Sequence, residues 1–261
     1  MLKKRIIPIL TFNGFGLVKT KSFANPRMVG NPVQAARVYN ARGVDELVFV
    51  DIAAITQQLK LNNKFVADIM QESYMPTAIG GAVSTLEDIH QLLSIGADKV
   101  VIKTVALAQP EFVERAARQF GSQAIVVALD AQAMNGAYRL YAPHVPQLHL
   151  QATLTDALRQ FTERGAGEFI VTSVAHDGQM QGYDLDLYRL AVGHTQRPVV
   201  ASGGAGNPGH FVDLHSAANV SGFAAASMYH FTQYTPLDAK RALQSAGAPV
   251  RIPTKDDAQA A

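Results

Sequence analysis

Two glycine pairs and the residues beside them are the parts of this sequence best suited to hold an anion. Gly80-Gly81 and Gly203-Gly204 each follow a short apolar run, and Thr104 and Ser227 follow the next such run along the chain. A glycine turn that precedes a helix lets backbone N–H groups approach a phosphate. Two such turns predict a substrate with a phosphate at each end. The alternative is that these glycines serve only tight turns.

Carboxylates and one lysine supply the candidate acid and base groups. Asp130 ends the apolar run AIVVALD, where a general acid or base is expected, although it could be a solvated loop residue. Asp51 ends an earlier run and Asp177 lies in the loop HDGQMQG; either could be catalytic or could hold loops together. Lys19, in the long loop after the first run, could reach over a bound anion.

The runs that position these residues alternate with longer amphipathic stretches, as in βα units around a parallel sheet. Eight strands are expected to begin near Arg5, Leu47, Thr77, Lys99, Ala124, Glu168, Val199 and Ser221. Eight βα units in 261 residues predict an α/β fold of the (β/α)8 TIM barrel type, with the active site at the carboxyl ends of the strands. An open doubly wound sheet is the alternative, but it usually has fewer strands and a glycine-rich first turn.

Helix boundaries are readable between these strands. Asn31-Pro32 predicts a helix start and Gly43 its end, and residues 84–87, SerThrLeuGlu, match a capping box. Pro110, Pro208 and Pro236 mark three more helix starts.

The chain also repeats itself. Glu46–Asp51 matches Glu168–Ser173 at an offset of 122, and RIIPILT matches AIVVALD at an offset of 119. Self-similarity at a nearly fixed period predicts two (βα)4 half-barrels. We expect one barrel domain over residues 1–251 and a disordered tail over residues 252–261, which lacks periodic apolar residues.

Composition excludes several classes of protein. The net charge is +2 without a long basic run, so the electrostatic footprint of a nucleic-acid binder is missing. The chain has no cysteine, which excludes disulfides, thiol nucleophiles and thiolate metal sites. No segment approaches the ~20 apolar residues of a membrane span. We therefore expect a cytoplasmic protein that binds neither nucleic acid nor membranes and takes small anions as ligands.

Charges also stand where the strands begin, a place where a plain core would be apolar. Four of them converge on the amino-terminal rim: Arg5, Glu46, Lys99 and Glu168. Unpaired burial of charge is costly, so these side chains must pair with one another. They form either a structural plug or a gate.

Seven segments follow the pattern of one family in order: KRIIPIL, VDELVFVDI, IGGAVSTLEDIHQLLSIGADKV, FGSQAIVVALDA, VTSVAHDGQMQGYDL, PVVASGGAGN and AAASMYHFTQYT. The chain resembles the HisF family, the cyclase subunit of imidazole glycerol phosphate synthase, over roughly residues 1–251. The resemblance implies a barrel that binds a HisH-like glutaminase on its amino-terminal face and receives ammonia through its axis. At the other end it would cleave and cyclise a bis-phosphorylated ribosyl substrate. No metal or organic cofactor is implied.

Residue by residue, the resemblance separates the two ends of the barrel. The four rim charges fall on the ammonia gate, and Asp98 falls on a position that contacts the glutaminase. The family uses an aspartate at the end of both strand one and strand five, but here Thr11 stands opposite Asp130 in the repeat. A threonine cannot take up a proton near neutral pH, and losing one acid/base partner typically costs ~10²-fold to 10⁴-fold in rate.

Other departures lie near the same end. Lys103 stands where the family commonly has asparagine, Val101 where it has a small hydroxyl residue, and Ala82 where a third glycine is usual. The predicted catalytic residues are Asp130 and Thr11. The predicted substrate- and phosphate-binding residues are Gly81, Ala82, Lys103, Thr104, Asp177, Gly178, Gly203, Gly204, Ala226, Ser227, Lys19 and Asp51.

Three functions fit these observations. The leading hypothesis is a paralogue of the cyclase subunit that passes glutamine-derived ammonia to a different substrate, as similar paralogues are associated with amidination of acetamido sugars for surface polysaccharides. The second is a genuine imidazole glycerol phosphate synthase subunit in histidine biosynthesis that tolerates Thr11. The third is a barrel that activates the glutaminase and conducts ammonia without chemistry of its own.

Overall fold

A closed barrel of parallel strands forms the centre of the molecule. The computed structural model describes residues 2–56 and 60–253. The strands are β1 (Arg5–Phe12), β2 (Leu17–Lys21), β3 (Ala24–Gly30), β4 (Leu47–Asp51), β5 (Thr77–Gly80), β6 (Lys99–Ile102), β7 (Ile125–Met134), β8 (Ala137–Leu140), β9 (Glu168–Ser173), β10 (Val199–Ser202) and β11 (Gly222–Ala225). Eight of them pair in the order β1-β4-β5-β6-β7-β9-β10-β11, and β11 pairs with β1 to close the ring. The predicted (β/α)8 barrel is confirmed, and the open sheet is excluded.

Helices surround this barrel. They are α1 (Pro32–Ala41), α2 (Ala53–Thr56), α3 (Asn63–Met70), α4 (Leu86–Ile95), α5 (Thr104–Ala108), α6 (Glu111–Phe120), α7 (Leu154–Glu163), α8 (Leu185–Gly193), α9 (Pro208–Ala217), α10 (Ser227–Phe231) and α11 (Pro236–Ser245). Within the described ranges, no helix combines the length and the apolar character needed to cross a membrane.

Alternation along the strands divides the core in two. Ile6 and Leu10 of β1 belong to the large cluster between the sheet and the helices, whereas Ile7 belongs to a second cluster inside the barrel. That interior cluster consists of Ile7, Val48, Ala78, Val101, Val126, Ile170, Val200 and Ala224. Because successive side chains of a strand point to opposite faces, Arg5, Ile9 and Thr11 share the interior side with Ile7.

The helix starts were predicted well, with one error of a single residue. The Asn31 side chain accepts hydrogen bonds from the N–H groups of α1, as predicted. The capping box of α4, predicted at residues 84–87, is formed instead by Thr85 and Asp88. The Asp88 carboxylate accepts from the N–H groups of both Ser84 and Thr85, so it takes the role that was predicted for Glu87.

Two hairpins were not predicted. β2 and β3 form an antiparallel hairpin in the segment expected to be a loop after β1. β7 continues past Asp130 and returns as β8 through Asn135 and Gly136, both with positive φ. An Asn-Gly pair between strands is a strong hairpin signal, so the second hairpin was readable from the sequence.

The end of the domain is only partly described. Of the predicted tail, residues 254–261 lie outside the described residues. Pro253 lies next to Gly43. The domain boundary at residue 251 stays a prediction.

Gly167 holds the turn before β9 against the turn before β7, and so places Glu168. Its N–H donates to the Ile125 carbonyl at 2.9 Å, and a Cβ there would lie 1.9 Å from the Ser122 backbone oxygen. We expect Gly167→Ala to lower the free energy of unfolding by about 1–3 kcal/mol, because only a backbone shift can relieve this clash.

Urea unfolding followed by far-ultraviolet circular dichroism measures this change. Gly193→Ala is the control, because a Cβ there meets nothing within 4 Å. It should leave stability unchanged or raise it by up to about 1 kcal/mol, since alanine is a better helix former. Equal stability of the two variants would contradict the prediction.

Candidate active site

Four charged side chains form a ring at the amino-terminal end of the barrel interior. Arg5 donates to the carboxylates of both Glu46 and Glu168. The Lys99 Nζ lies 2.8 Å from Glu46 and 2.6 Å from Glu168. Each carboxylate is therefore bound by both cations, and the two charges of each sign balance. The structure shows the predicted pairing; the gating role stays a prediction.

The cations of this ring keep Glu168 ionised. Burial alone would raise the pKa of Glu168, but hydrogen bonds and charges from Arg5 and Lys99 outweigh burial and lower it. Both glutamates are almost fully buried, and an unpaired buried carboxylate would be costly.

A cavity of about 440 Å³ opens at the other end of the barrel, at the carboxyl ends of the strands. Every residue predicted for the substrate end lines it: Thr11, Lys19, Asp51, Gly81, Ala82, Lys103, Thr104, Asp130, Asp177, Gly178, Gly203, Gly204, Ala226 and Ser227. The structure thus brings them together, and their individual roles stay predictions.

The two glycine turns are required by close backbone contacts. A Cβ at Gly81 would lie 2.6 Å from the Asp51 backbone oxygen, and one at Gly204 would lie 2.0 Å from the Gly182 oxygen. Both glycines also have a positive φ. Gly81 and Gly204 are therefore required by the tight turns in which they lie. They also border the cavity, as an anion cradle must.

Asp130 is not a solitary carboxylate. The Lys103 Nζ donates to Asp130 Oδ2, and both side chains line the cavity. Lys103 comes directly before α5, at the end of β6 next to β7. Any acid or base role for Asp130 must therefore begin from an ion pair with Lys103.

Thr11 is also bound by a lysine. The Nζ of Lys19 donates to the Ile9 carbonyl at 2.8 Å and to Thr11 Oγ1 at 3.3 Å. Lys19 is only 8% exposed. Burial lowers its pKa to about 8, against the opposing charge of Asp177. The internal repeat relates the ends of β1 and β7, and each end thus contacts a lysine. Lys19 at Thr11 is buried beside an uncharged group, whereas Lys103 forms an ion pair with Asp130.

Asp51 binds the start of α2, and Asp177 holds two loops together. Asp51 Oδ1 accepts from the N–H groups of Ala53 and Ala54 at the start of α2. Asp177 Oδ2 accepts from the Thr20 hydroxyl at 2.7 Å, which ties the β2–β3 hairpin to the loop after β9. Burial raises the pKa of each carboxyl. A catalytic role for either would be additional to these contacts.

One side of the cavity mouth was missed by the sequence analysis. Phe23, Tyr141 and His144 line it, and the Phe23 and Tyr141 rings meet edge to face at 5.6 Å. Phe23 lies at the turn of the hairpin after β1, and Tyr141 follows β8. The Asn135-Gly136 turn could have indicated the hairpin that carries Tyr141, but nothing in the sequence pairs it with Phe23.

Two further expectations concern a partner and metals. Asp98 is exposed on the turn before β6, and its carboxylate accepts from the Thr77 N–H at 2.8 Å. Contact with a glutaminase stays a prediction. In the part of the chain that the structure describes, no group of three or more histidine, aspartate or glutamate side chains is placed to hold a metal ion.

A comparison with a family model and a comparison with known proteins agree with each other. The family described as histidine biosynthesis protein matches residues 5–235. Three relatives are each named imidazole glycerol phosphate synthase subunit HisF. That of Gluconacetobacter diazotrophicus is 41% identical over 252 residues, 96% of this chain and 97% of its own. That of Lactiplantibacillus plantarum is 41% identical over 256 residues, 96% of this chain and 100% of its own. That of Dehalococcoides mccartyi is 38% identical over 252 residues, 97% of this chain and 99% of its own.

The ionic ring should make stability fall in acid. Because the pKa of Glu168 is lower in the folded protein than its ordinary value of 4.5, the ring stabilises the fold above that value. This contribution is lost as the pH falls through the folded pKa. We expect the urea midpoint to drop below about pH 4.5 as Glu168 is protonated.

Glu168→Gln tests the source of this acid sensitivity. It should lower the free energy of unfolding at pH 7 by about 3 kcal/mol, because two cations then share one carboxylate. The variant should also lose less of its free energy of unfolding when the pH is lowered. Glu163→Gln, at an exposed position, should stay within about 0.5 kcal/mol of the unchanged protein. A Glu168→Gln variant with the full acid dependence would contradict this explanation.

Proposed function

The chain belongs to the HisF family of histidine biosynthesis proteins, and on that premise we propose that it is the ammonia-using subunit of a glutamine amidotransferase, with the activity of imidazole glycerol phosphate synthase. In this proposal a glutaminase binds the amino-terminal face and releases ammonia into the barrel. At the carboxyl end, ammonia reacts with a bis-phosphorylated ribosyl substrate, which is cleaved and cyclised. All three relatives carry this name, so the comparisons support histidine biosynthesis better than the leading hypothesis of sugar amidination.

The observation that carries the proposal is the layered interior of the barrel. A ring of paired charges lies at one end, an apolar layer in the middle, and at the other end a cavity whose lining includes Lys19, Lys103 and Asp130. An ion crossing the apolar layer would lose its hydration without gaining a partner, whereas neutral ammonia loses far less. This order of layers suits the transfer of ammonia from a partner at one face to a substrate at the other.

The carboxyl end suits a substrate with two anionic groups. The Gly81 turn leads to α4 and the Gly203-Gly204 turn leads to α9. Thr104 and Ser227 are the first residues of α5 and α10, so each glycine turn has a hydroxyl from the neighbouring unit beside it. The internal repeat relates these two sets. Backbone N–H groups and hydroxyls are suitable donors to phosphate oxygens.

A second candidate function is favoured by one observation at the same end. Thr11 cannot take up a proton near neutral pH, and Asp130 is ion-paired with Lys103. The carboxylate pair that the resemblance implies is therefore incomplete. A different ammonia-dependent reaction, such as amidination of an activated acetamido sugar, would use the same interior without that pair.

Turnover without a partner tests the proposed function. The purified barrel is given the histidine-pathway bis-phosphorylated ribosyl substrate with excess ammonium salt at alkaline pH, and imidazole formation is followed. We expect measurable turnover by the unchanged protein, and Thr11→Asp should also turn over the substrate, because it supplies a second carboxylate.

Two further results separate the candidates. Asp130→Asn should lower the rate by about 10²-fold to 10⁴-fold if the barrel performs acid–base chemistry. Turnover that Asp130→Asn leaves unchanged would argue against that chemistry. If neither the unchanged protein nor Thr11→Asp turns over the substrate while calorimetry shows that both bind it, the histidine-pathway function is wrong and the second candidate replaces it.

A further inference from the structure

The end of β1 lacks a titratable side chain of its own, yet an amine from the next strand reaches it. β2 pairs with β1 through Phe12 and Leu17, and this tight return brings Lys19 back over the end of β1. We propose that the Lys19 amine is the proton acceptor and donor on this side of the cavity, opposite Asp130. The proposal rests on the proposed function, since it assigns a role within an ammonia-dependent reaction.

The hydrogen bonds of Lys19 suit a neutral amine. A neutral amine has two N–H groups and one lone pair, whereas an ammonium has three N–H groups. The structure gives Nζ two acceptors, the Ile9 carbonyl and Thr11 Oγ1. With both N–H groups satisfied, the lone pair is left to accept a proton. Lys19 lines the cavity, so a bound substrate can supply that proton.

The charges around Lys19 come from several elements. Asp177, in the loop after β9, attracts the ammonium form, and Asp130 lies near Asp177. His230 of α10 faces Lys19; burial first and then this lysine lower the pKa of His230 to about 4, so it stays uncharged. Arg27 is the cross-strand neighbour of Lys19 on β3 and is exposed. Burial outweighs the attraction of Asp177, and the pKa of Lys19 falls to about 8.

Residue 11 decides whether this amine can act as a base. An aspartate at this position would place a carboxylate beside Nζ and hold it as an ammonium. Threonine offers an acceptor without charge, so the amine can lose its proton near pH 8. Threonine in place of aspartate at residue 11 thus removes one titratable group, and it leaves the neighbouring Lys19 amine able to act as a base.

The proton balance of the step is simple. As the ammonia nitrogen forms its bond to the substrate carbon, an N–H bond of that nitrogen breaks and its proton binds the Lys19 lone pair. The resulting ammonium then returns the proton to the oxygen or nitrogen that leaves the substrate. No other reactant is needed, and the lysine is neutral again at the end.

A pH–rate profile tests this role. The rate is measured with the ribosyl substrate at constant free ammonia, because ammonium itself titrates in the alkaline range. We expect the rate to rise with pH with a midpoint near pH 8, as the amine becomes neutral. Lys19→Arg keeps the charge but cannot act as a base, and should lower the rate by about 10²-fold or more. Lys19→Met should do the same.

Controls distinguish this role from a structural one. Lys21→Arg makes the same change at an exposed position of β2 and should leave the rate unchanged. In Thr11→Asp the midpoint should move to lower pH, because a carboxylate then accepts the proton. A Lys19→Arg variant with the unchanged rate and the unchanged midpoint would overturn the proposal.

A measurement without substrate keeps this proposal separate from the proposed function. In protein labelled with ¹³C at lysine Cε, the Lys19 signal is identified by its absence from Lys19→Met. It should titrate near pH 8, and roughly one pH unit or more higher in Thr11→Asp. Titration above pH 10 in the unchanged protein would overturn the proposal. Failure of every variant to turn over the ribosyl substrate, with Lys19 titrating near pH 8, would instead refute the proposed substrate.

Discussion

Closing a parallel sheet into a ring forces every second side chain of its eight strands into an interior that water reaches poorly. In β1 these positions are Arg5, Ile7, Ile9 and Thr11, and the other strands add their own residues at matching levels. A charge in that space needs a partner, and an unpaired polar group is costly. The ionic ring, the apolar layer and the cavity at the carboxyl end are three levels of this interior. The character of each level, charged or apolar, follows from the residue types that occupy it.

The ionic ring shows how the barrel interior accommodates charge. Arg5 and Lys99 each contact both Glu46 and Glu168, so no charge depends on a single partner. A closed set of two cations and two anions can be buried with every group paired.

The carboxyl end uses lysines in two different ways. Lys103 forms an ion pair with Asp130, so a cation and an anion neutralise each other beside the cavity. Lys19 instead contacts a carbonyl and a hydroxyl, and its burial lowers its pKa against the attraction of Asp177. The β2–β3 hairpin makes this possible. Asp177 anchors the hairpin through Thr20, and its backbone oxygen accepts from the Ser22 N–H. The loop after β9 thereby holds in place the strand that carries Lys19.

The barrel, the helix starts and the charged and glycine residues around the cavity could be predicted from the amino-acid sequence, whereas Phe23, Tyr141 and His144 could not. Apolar runs and helix caps are local signals, and the carboxyl ends of parallel strands must meet at one edge. The sequence also indicated the ionic ring, since charges at four strand starts share one level. The contacts between side chains at the cavity, in contrast, are visible only in the folded chain. That Lys103 meets Asp130, that Lys19 meets Thr11, and that Phe23 meets Tyr141 depend on the paths of two hairpins and on side-chain conformations. No local pattern encodes such contacts, because they arise between segments that the closed ring brings together.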